Sequence, residues 1–304
     1  MSIVKNQHYV AQGYLSSWAN ADEQLFAFDK YSQKSFLSAV RNVASEKFFY
    51  DLPLPATDVG GDPQAIEKLL GQTVDADFPP TIIALLDGVT RHGRIDPSLK
   101  APMGCFLAIQ LMRTRSHRNQ LTQLSESLLD ELNRRGATPN GALDPEKLRL
   151  DEKRAARVQA QFFLDPAAVT QFAAVLGAHI WMVGTCKTAR TFYTSDNPVV
   201  RKANAGLSGL ASPGIQIAFP LTPKYILLLL ERSFFSVQFA KYDLHAVNFT
   251  DRGVEDCNVM QVWGSHRQIY CQEDAFDLAR DACKLHPEAC DPVRVNVGVP
   301  RHSH

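Results

Sequence analysis

The densest group of side chains able to move protons or bind anions lies at the start of the chain. Residues 5–15 read KNQHYVAQGYL and place a lysine, a histidine, two glutamines and two tyrosines within eleven positions. His8 is the one side chain among them whose unperturbed pKa lies near neutrality, which suits it to act as a general acid or base. Lys5 could neutralise a phosphate or carboxylate, while Gln12 and Tyr9 could position a substrate. The stretch therefore predicts either a reactive site or a solvated strand.

Further polar side chains lie on two segments that the sequence predicts as helices. Glu67 and Asp75 are eight residues apart, a little over two turns, so both carboxylates can face one side. Gln110 and Arg113 are three residues apart and share a face inside an apolar stripe. Polar groups among apolar ones need partners, so Arg113 can pair with Glu67 or Asp75. Such a pair could bind an anion or simply fasten two helices.

A short turn supplies the last candidates. Residues 195–198 read SDNP. Asp and Asn bond the local backbone in turns, and proline fixes the direction in which the chain leaves. The same turn presents three oxygen-bearing side chains together, so Asp196 and Asn197 could also contact a substrate. The sequence leaves both interpretations open.

Composition and charge exclude several classes of protein. The 304 residues include 32 basic and 32 acidic side chains, so no overall charge attracts the chain to nucleic acid or to an anionic membrane. A nucleic-acid site would have to be local, and Arg115, His117 and Arg118 would supply its basic patch. No apolar run approaches the roughly 20 residues that span a bilayer, and the first residues contain no signal-peptide core. We therefore expect a cytoplasmic protein with no membrane partner.

Sequence motifs for cofactors and metals are missing. There is no GxxxxGK[ST] or GxGxxG phosphate loop, no GxSxG nucleophile turn, no HExxH and no zinc-like Cys/His spacing. We expect no cofactor and no bound metal. The six cysteines include no CxxC pair and are interpreted as reduced thiols.

The order of predicted elements indicates an α+β fold. A small N-terminal β-hairpin, with strands at 24–30 and 35–40, comes first. Helical spacing dominates residues from about 62 to 177. An antiparallel or mixed sheet follows from about 178 to 272, with a closing helix. Its predicted strands are 180–183, 191–194, 215–219 and 225–230.

Several boundaries follow from the same patterns. The Pro79-Pro80 pair is expected to break or kink its helix. One long helix is predicted from Pro97 through Arg113 into residues 121–132, and the closing helix is placed over 251–270. We expect a single α+β domain over residues 1–285 and a loosely held tail over 286–304.

The opening stretch also carries a family resemblance. Together with LFAFDK (25–30) and ASEKFFYDL (44–52), it resembles the start of a bacterial family of domains of unknown function, numbered four-two-three-eight, whose members typically open KNQHYVPQFYLRNF. Later segments resemble further motifs of that family over most of residues 3–272. They read AIEKLLGQTVDAD, LAIQLMRTRSHR, FYTSDNPVV and FPLTPKYILLL.

The chain departs from the family pattern at Ala11, where proline is usual, and at Gly13, where an aromatic residue is usual. Both changes loosen the backbone of the opening stretch. The resemblance implies that the motifs belong together, but it implies no reaction.

Two functions are compatible with these residues. The first is a metal-independent, nuclease-like enzyme used in defence or as a toxin, with His8 as general acid or base and Lys5 and Arg113 stabilising phosphorane charge. The second is a non-catalytic protein whose polar cluster holds a small anion or fastens the N-terminal segment to the helices. In the first, the substrate-binding residues would be Gln12, Tyr9, Gln110, Asp196 and Asn197, supported by Glu67 and Asp75.

Overall fold

The computed structural model describes residues 3–51, 62–135 and 148–291. The predicted loops at 53–63 and 136–144 lie mostly or wholly outside these ranges, as does the predicted tail after residue 291. The architecture is α+β as predicted, with small N-terminal sheets, a helical middle (65–177) and a C-terminal mixed sheet with helices. A single domain over residues 1–285 stays a prediction.

The described ranges contain ten α-helices. They are α1 (Gln12–Leu15), α2 (Ala65–Leu69), α3 (Asp75–His92), α4 (Lys100–Met112), α5 (Arg115–Arg134), α6 (Glu152–Leu164), α7 (Pro166–Gly177), α8 (Arg232–Phe239), α9 (Asp251–Gly264) and α10 (Asp277–Leu285). Within the described ranges, no helix has both the length and the apolar composition that crossing a membrane requires.

The start of α7 illustrates how local sequence sets these boundaries. The Asp165 carboxylate accepts hydrogen bonds from the N–H groups of Ala167 and Ala168, at 2.9 and 3.2 Å. Pro166 occupies the first helical position, where a missing N–H costs little. Both features fix the residue at which α7 begins.

Two boundaries in the helical middle differ from the prediction. Helix α3 continues through Pro79 and Pro80, and the irregularity lies just before it, in a π-helical stretch over Leu70–Val74. Pro79 and Pro80 lack backbone N–H groups, but they lie near the start of α3, where the α-helical hydrogen bonds are only beginning. The two prolines therefore do not end the helix.

The prediction of one long helix through Arg113 is also wrong. The helix is interrupted between α4, which ends at Met112, and α5, which begins at Arg115. Thr114 adopts an extended conformation, and its side chain accepts a hydrogen bond from the N–H of His117 at 3.2 Å. Thr114 thus caps α5, a signal that the apolar periodicity across this segment concealed.

The strands form three sheets. They are β1 (Asn6–His8), β2 (Gln24–Asp29), β3 (Lys34–Ala39), β4 (Ser45–Lys47), β5 (Ile180–Cys186), β6 (Thr194–Ser195), β7 (Val200–Ala203), β8 (Ile215–Thr222), β9 (Tyr225–Leu230), β10 (His245–Phe249) and β11 (Gln268–Cys271).

A five-stranded sheet forms the C-terminal core in the order β10-β5-β9-β8-β7. Only β10 and β5 are parallel, so the sheet is mixed. Its central strands are buried almost throughout, as their continuous apolar sequences (such as YILLLL) require. One face contacts the helical middle through Phe219, and the other packs on α9 through residues such as Val254 and Cys257. Strands β7 and β10 and helix α8 were not predicted.

The predicted N-terminal hairpin, β2 and β3, does not stand alone. It forms a four-stranded sheet in the order β3-β2-β11-β6, in which β11 comes from the C-terminal part of the chain. The closing helix predicted over 251–270 is therefore too long, because α9 ends at Gly264 and residues 268–271 form β11. Pairing between strands more than 200 residues apart leaves no local signal in the sequence.

Lys30, at the end of this hairpin, is almost fully buried and holds three backbone segments together. Its ammonium group donates hydrogen bonds of 2.9 Å to the carbonyl oxygens of Val262, Ser265 and Ala289. Two of these carbonyls lie at the end of α9, where helical carbonyls lack partners and a cation is favourable.

A disulfide between Cys283 and Cys290 ties α10 to the turn that carries Ala289. The interpretation of all six cysteines as thiols is therefore wrong for this pair. The loosely held tail over 286–304 stays a prediction. The seven-residue spacing gave no CxxC signal. The free cysteines in the described ranges are Cys105, Cys186, Cys257 and Cys271.

Replacing Lys30 with methionine should lower the free energy of unfolding by about 2–4 kcal/mol, because buried carbonyl oxygens lose their donor. Urea unfolding followed by circular dichroism measures the change. The exposed Lys34→Met variant is the control and should shift stability by less than about 0.5 kcal/mol. Equal effects of the two substitutions would contradict the role given to Lys30.

Candidate functional site

His8 lies at the end of β1, where pairing with Ser45 of β4 fixes its backbone. The side chain is buried, and Nδ1 lies 3.3 Å from the Nε2 amide of Gln12. Nε2 of His8 makes no hydrogen bond within the described ranges. Burial lowers the pKa of His8; the backbone of Arg41 counteracts this shift, while the charge of Arg113 adds to it. The ring is therefore neutral at neutral pH, with one nitrogen unused.

Arg113 lies at the end of α4 and is only 1% exposed. Its Nη1 donates to Asp75 Oδ1 at 2.6 Å, and Nη2 donates to the His8 carbonyl oxygen at 2.6 Å and to Asp75 Oδ2 at 3.3 Å. Nε donates to the Tyr50 hydroxyl at 3.4 Å, and that hydroxyl donates to the Arg113 carbonyl at 3.0 Å. We call these four residues, His8, Tyr50, Asp75 and Arg113, the Arg113 cluster.

The electrostatics of Arg113 follow from these contacts. Burial by itself would lower the pKa of the guanidinium, but Tyr50 and Asp75 together raise it. Arg113 therefore stays charged, and its charge is matched by a carboxylate whose side chain is 29% exposed. The predicted pairing of Arg113 with the α3 carboxylate Asp75 is the one that forms.

Gln110, one turn earlier on α4, reaches the opening stretch directly. Its Nε2 donates a hydrogen bond of 2.9 Å to the Tyr9 carbonyl oxygen, and its side chain is fully buried. Oε1 of Gln110 makes no hydrogen bond in the described part of the chain. The Tyr9 ring packs against Phe49 at a centroid distance of 5.3 Å, and burial raises the pKa of its hydroxyl. These contacts hold the backbone of residues 8–9 against α4.

Glu67, on α2, lies near the cluster without bonding to it. It is half-buried, and its side chain makes no hydrogen bond in the described ranges. Burial raises the pKa of Glu67 to about 7, with Arg113 opposing the shift and Asp75 and Asp51 adding to it. Glu67 thus titrates near neutrality, which is an uncommon property for a carboxyl group and a recurrent one at reactive sites.

Asp196 and Asn197 are committed to holding the chain at the end of α9. The Asp196 carboxylate accepts hydrogen bonds from the N–H groups of residues 266–268, at 2.7 to 2.8 Å, and is 1% exposed. Asn197 donates to the Gly264 carbonyl at 2.8 Å and accepts from the Thr114 hydroxyl at 3.1 Å. The turn thereby joins the C-terminal sheet to the start of α5, next to Arg113.

The remaining predicted cations lie apart from the His8 side chain. Lys5 is exposed and makes no side-chain bond to the cluster within the described ranges. Arg115 forms ion pairs with Glu46 and Glu152, and it is 17% exposed. Arg118 is buried, with its guanidinium 3.6 Å above the Phe49 ring.

The local basic patch predicted for nucleic acid thus consists largely of side chains with partners inside the protein. In addition to its contact with Phe49, Arg118 donates to Gln159 Oε1 at 2.6 and 2.9 Å. Burial lowers the pKa of Arg118 to about 10, which still leaves it charged at neutral pH. The pairing reduces the positive field that these residues can present to a polyanion.

Sequence reasoning overlooked several residues that complete the site. Gln7 donates to Asp51 Oδ1 at 2.5 Å and accepts from the Tyr50 N–H at 2.5 Å, so it joins β1 to residues 50–51. Tyr50 and Thr114 contact Arg113 and Asn197, as described above. The FFY segment of the family resemblance was the available signal for Tyr50.

Metal binding has no support in the described residues, since no three His, Cys, Asp or Glu side chains there are arranged to hold an ion. A pocket of about 310 Å³ lies between α4, α5, β7 and the end of α9. Among the predicted site residues, Asn197 lines it.

The first prediction from this geometry concerns Arg113. The Arg113→Met variant should lose about 3 kcal/mol of unfolding free energy, because Asp75 and the His8 carbonyl lose a buried partner. Urea unfolding measures this loss. The matched control is Arg91→Met, which removes an exposed pair with Asp87 and should cost less than about 1 kcal/mol. Similar losses in both variants would show that the Arg113 cluster does not hold the fold.

The second prediction concerns the pH dependence of stability. Because folding raises the pKa of Glu67 to about 7, the folded state is penalised progressively as pH rises from about 4.5, near the unfolded pKa, to 7. The Glu67→Gln variant should therefore gain thermal stability relative to wild type at pH 8, and gain little at pH 4.5. The exposed Glu126→Gln variant is the control. A difference that does not change with pH would contradict the shift.

Comparison with known proteins adds a family but no activity. No curated protein and no solved structure matches the chain significantly. A family model described as "Protein of unknown function (DUF4238)" matches residues 6–275, which include every element from β1 to β11. The chain therefore belongs to the DUF4238 family of proteins of unknown function.

Proposed function

We propose that this chain is a non-catalytic binding protein in which the Arg113 cluster fastens the N-terminal segment to the helical middle. The observation that carries this proposal is the burial of Arg113, which is 1% exposed and bonded to Asp75, Tyr50 and the backbone of His8. A guanidinium in that state cannot contact a phosphate in solution without first breaking these bonds. Its charge is already balanced by Asp75.

Four further hydrogen bonds support fastening. Gln110 holds the Tyr9 carbonyl, and the Tyr14 hydroxyl lies 2.7 Å from both Thr194 Oγ1 and the Pro220 carbonyl oxygen. Trp18 donates to the Phe192 carbonyl at 3.0 Å. The hydroxyl of Tyr14 and the indole N–H of Trp18 thus bond to groups inside the protein, as does the backbone carbonyl of Tyr9.

The binding part of the proposal rests on the pocket beside Asn197. At about 310 Å³ it falls in the lower range of small-molecule sites. Its walls contain polar side chains that have no hydrogen bonds in the described ranges, in contrast to the fully bonded Arg113. A ligand would satisfy them.

The second candidate is the phosphodiester-cleaving enzyme, and one observation favours it. His8 Nδ1 lies beside the Gln12 amide, and Nε2, a buried nitrogen, makes no hydrogen bond in the described ranges, so no structural contact occupies it. Glu67, with its pKa raised to about 7, would be the second proton-transfer group. In this account Arg113 would act only through its field, and the exposed Lys5 would be the cation that contacts the phosphate.

Assays of phosphodiester cleavage separate the two candidates. Wild type, His8→Ala and the exposed-histidine control His92→Ala are incubated with single-stranded RNA, single-stranded DNA and bis(p-nitrophenyl) phosphate between pH 5 and 8. The binding proposal predicts no cleavage above that of a mock purification for any of the three proteins. His8→Ala should lose about 1–2 kcal/mol of stability, since a buried side chain that holds Gln12 is removed.

One result would overturn the binding proposal. It is cleavage by wild type and His92→Ala that is lost in a His8→Ala protein with an unchanged circular dichroism spectrum. A second variant, Glu67→Gln, guards against misfolding of His8→Ala. It removes one proposed proton-transfer group from a half-buried position, and its cleavage should then also fall.

A further inference from the structure

The pocket beside Asn197 has walls that the fold builds rigidly. The Asn197 amide donates to the Gly264 carbonyl at 2.8 Å, and Gln261 donates to the Pro198 carbonyl at 2.9 Å. Thr114 joins the same turn to α5 through its bond to Asn197. The lining residues are Leu111, His117, Gln120, Asn197, Val199, Val200, Arg201, Ser208, Trp263 and Gly264.

Gly264 allows the end of α9 to approach β7 closely. A Cβ atom at this position would lie 2.2 Å from Val200 Cγ1, a distance that no packing arrangement tolerates. The close approach brings Trp263, the preceding residue, to the wall of the pocket. The Trp263 ring also packs against His286, at a centroid distance of 5.1 Å.

Three side chains on the pocket wall have polar atoms without hydrogen-bond partners in the described ranges. They are the imidazole of His117, the amide of Gln120 and the indole N–H of Trp263. The backbone N–H of His117 is used by Thr114, but the ring is not. Unused donors and acceptors that converge on one cavity, next to an aromatic ring and apolar walls, are the usual composition of a small-molecule site.

The charge of the pocket is positive. Arg201 contributes a guanidinium that bonds only to the Ser208 carbonyl, at 3.2 Å, among the described residues. Among the residues that the structure describes, no acidic side chain lines the pocket. Burial and the neighbouring charge of Arg201 lower the pKa of His117 to about 4, so His117 is a neutral hydrogen-bonding group at neutral pH. A single cation beside an indole ring suits a ligand with one anionic group and one planar ring.

We propose that this pocket binds a small aromatic anion, in which one or two fused planar rings carry a carboxylate or a phosphate group. The ring lies against Trp263 and the apolar walls formed by Leu111, Val199 and Val200. The anionic group meets Arg201, and Gln120 and His117 orient it by hydrogen bonds. This inference rests on the proposed binding function and names the class of ligand.

Binding of three related probes to the full chain tests the proposal. Indole-3-acetate carries ring and charge, indole-3-acetamide carries the ring alone, and inorganic phosphate carries charge alone. Titration calorimetry and ligand-observed NMR should give measurable affinity for indole-3-acetate, and affinity at least about tenfold weaker for the other two, since a charge-assisted contact or a stacked ring contributes about that factor. Equal binding of indole-3-acetate and indole-3-acetamide would overturn the proposal. So would the absence of indole-3-acetate binding at millimolar concentration.

Substitutions of lining residues test whether the probe binds in this pocket. Arg201→Gln should weaken indole-3-acetate roughly tenfold and leave indole-3-acetamide unchanged, because only a charge-assisted hydrogen bond is lost. Trp263→Leu should weaken both indole probes. Lys202→Gln is the matched control, because Lys202 is exposed and is not among the residues that line the pocket. Binding that survives Arg201→Gln, or that is lost in Lys202→Gln, would contradict the assignment.

The outcome is separable from that of the proposed function. Cleavage that depends on His8, together with indole-3-acetate binding that depends on Arg201, would remove the non-catalytic function and leave the pocket assignment standing. Absence of both cleavage and binding would remove the ligand class and leave the fastening role of the Arg113 cluster intact.

Discussion

The buried guanidinium of Arg113 is the constraint on which the surrounding structure depends. A charged group placed in the interior is unfavourable unless a carboxylate and several acceptors surround it. Here Asp75 comes from α3, the His8 carbonyl from β1 and the Tyr50 hydroxyl from the segment after β4. Moving any one of these segments would leave the charge with an unpaired face. The cluster therefore fixes where β1, β4, α3 and α4 lie relative to one another.

The opening stretch also contacts the C-terminal half of the chain, through Tyr14. Tyr14 stacks on Phe219 of β8 at a centroid distance of 5.0 Å and bonds to Thr194 of β6. Gly13 accommodates the neighbouring helix, since a Cβ there would lie 3.0 Å from a ring carbon of Pro79. A residue with a side chain, usual in the family at this position, would press on α3. The N-terminal segment thus packs against both the helical middle and the sheets.

Much of the fold was accessible from sequence, and the reasons are local. Asp165 and Pro166 form the N-terminal cap of α7, and both are local sequence signals. Strand β9 is an uninterrupted apolar run, and its predicted bounds agree with the structure at both ends. The pairing of Arg113 with an α3 carboxylate followed from a polar group inside an apolar stripe. The pairing of β2 with β11 was not accessible, because it joins segments that only folding brings together. The cap at Thr114 and the disulfide are local, but apolar periodicity concealed the first and the seven-residue cysteine spacing matches no motif.

The sequence indicated which residues of the candidate site lie together, but not what each of them does. His8, Gln12, Gln110, Arg113 and Asp75 do come together, and Asn197 reaches the same region through Thr114. Their roles depend on how exposed each side chain is, which the residue type does not determine. Arg113 and Asp196 are buried, whereas Glu67 is half-buried. Gln120 and Trp263 lie in no motif that the sequence analysis identified, and His117 was assigned only to a basic patch. A site made of what remains unbonded after folding has no sequence signature.

Hydrogen–deuterium exchange in the Arg113→Met protein tests the central claim most directly. If the Arg113 cluster fastens the N-terminal segment, amide protection should fall selectively in residues 6–15 and 45–50, while β5 and β9 keep wild-type protection. A uniform loss across the chain, or unchanged protection in residues 6–15, would show that Arg113 does not hold this segment in place.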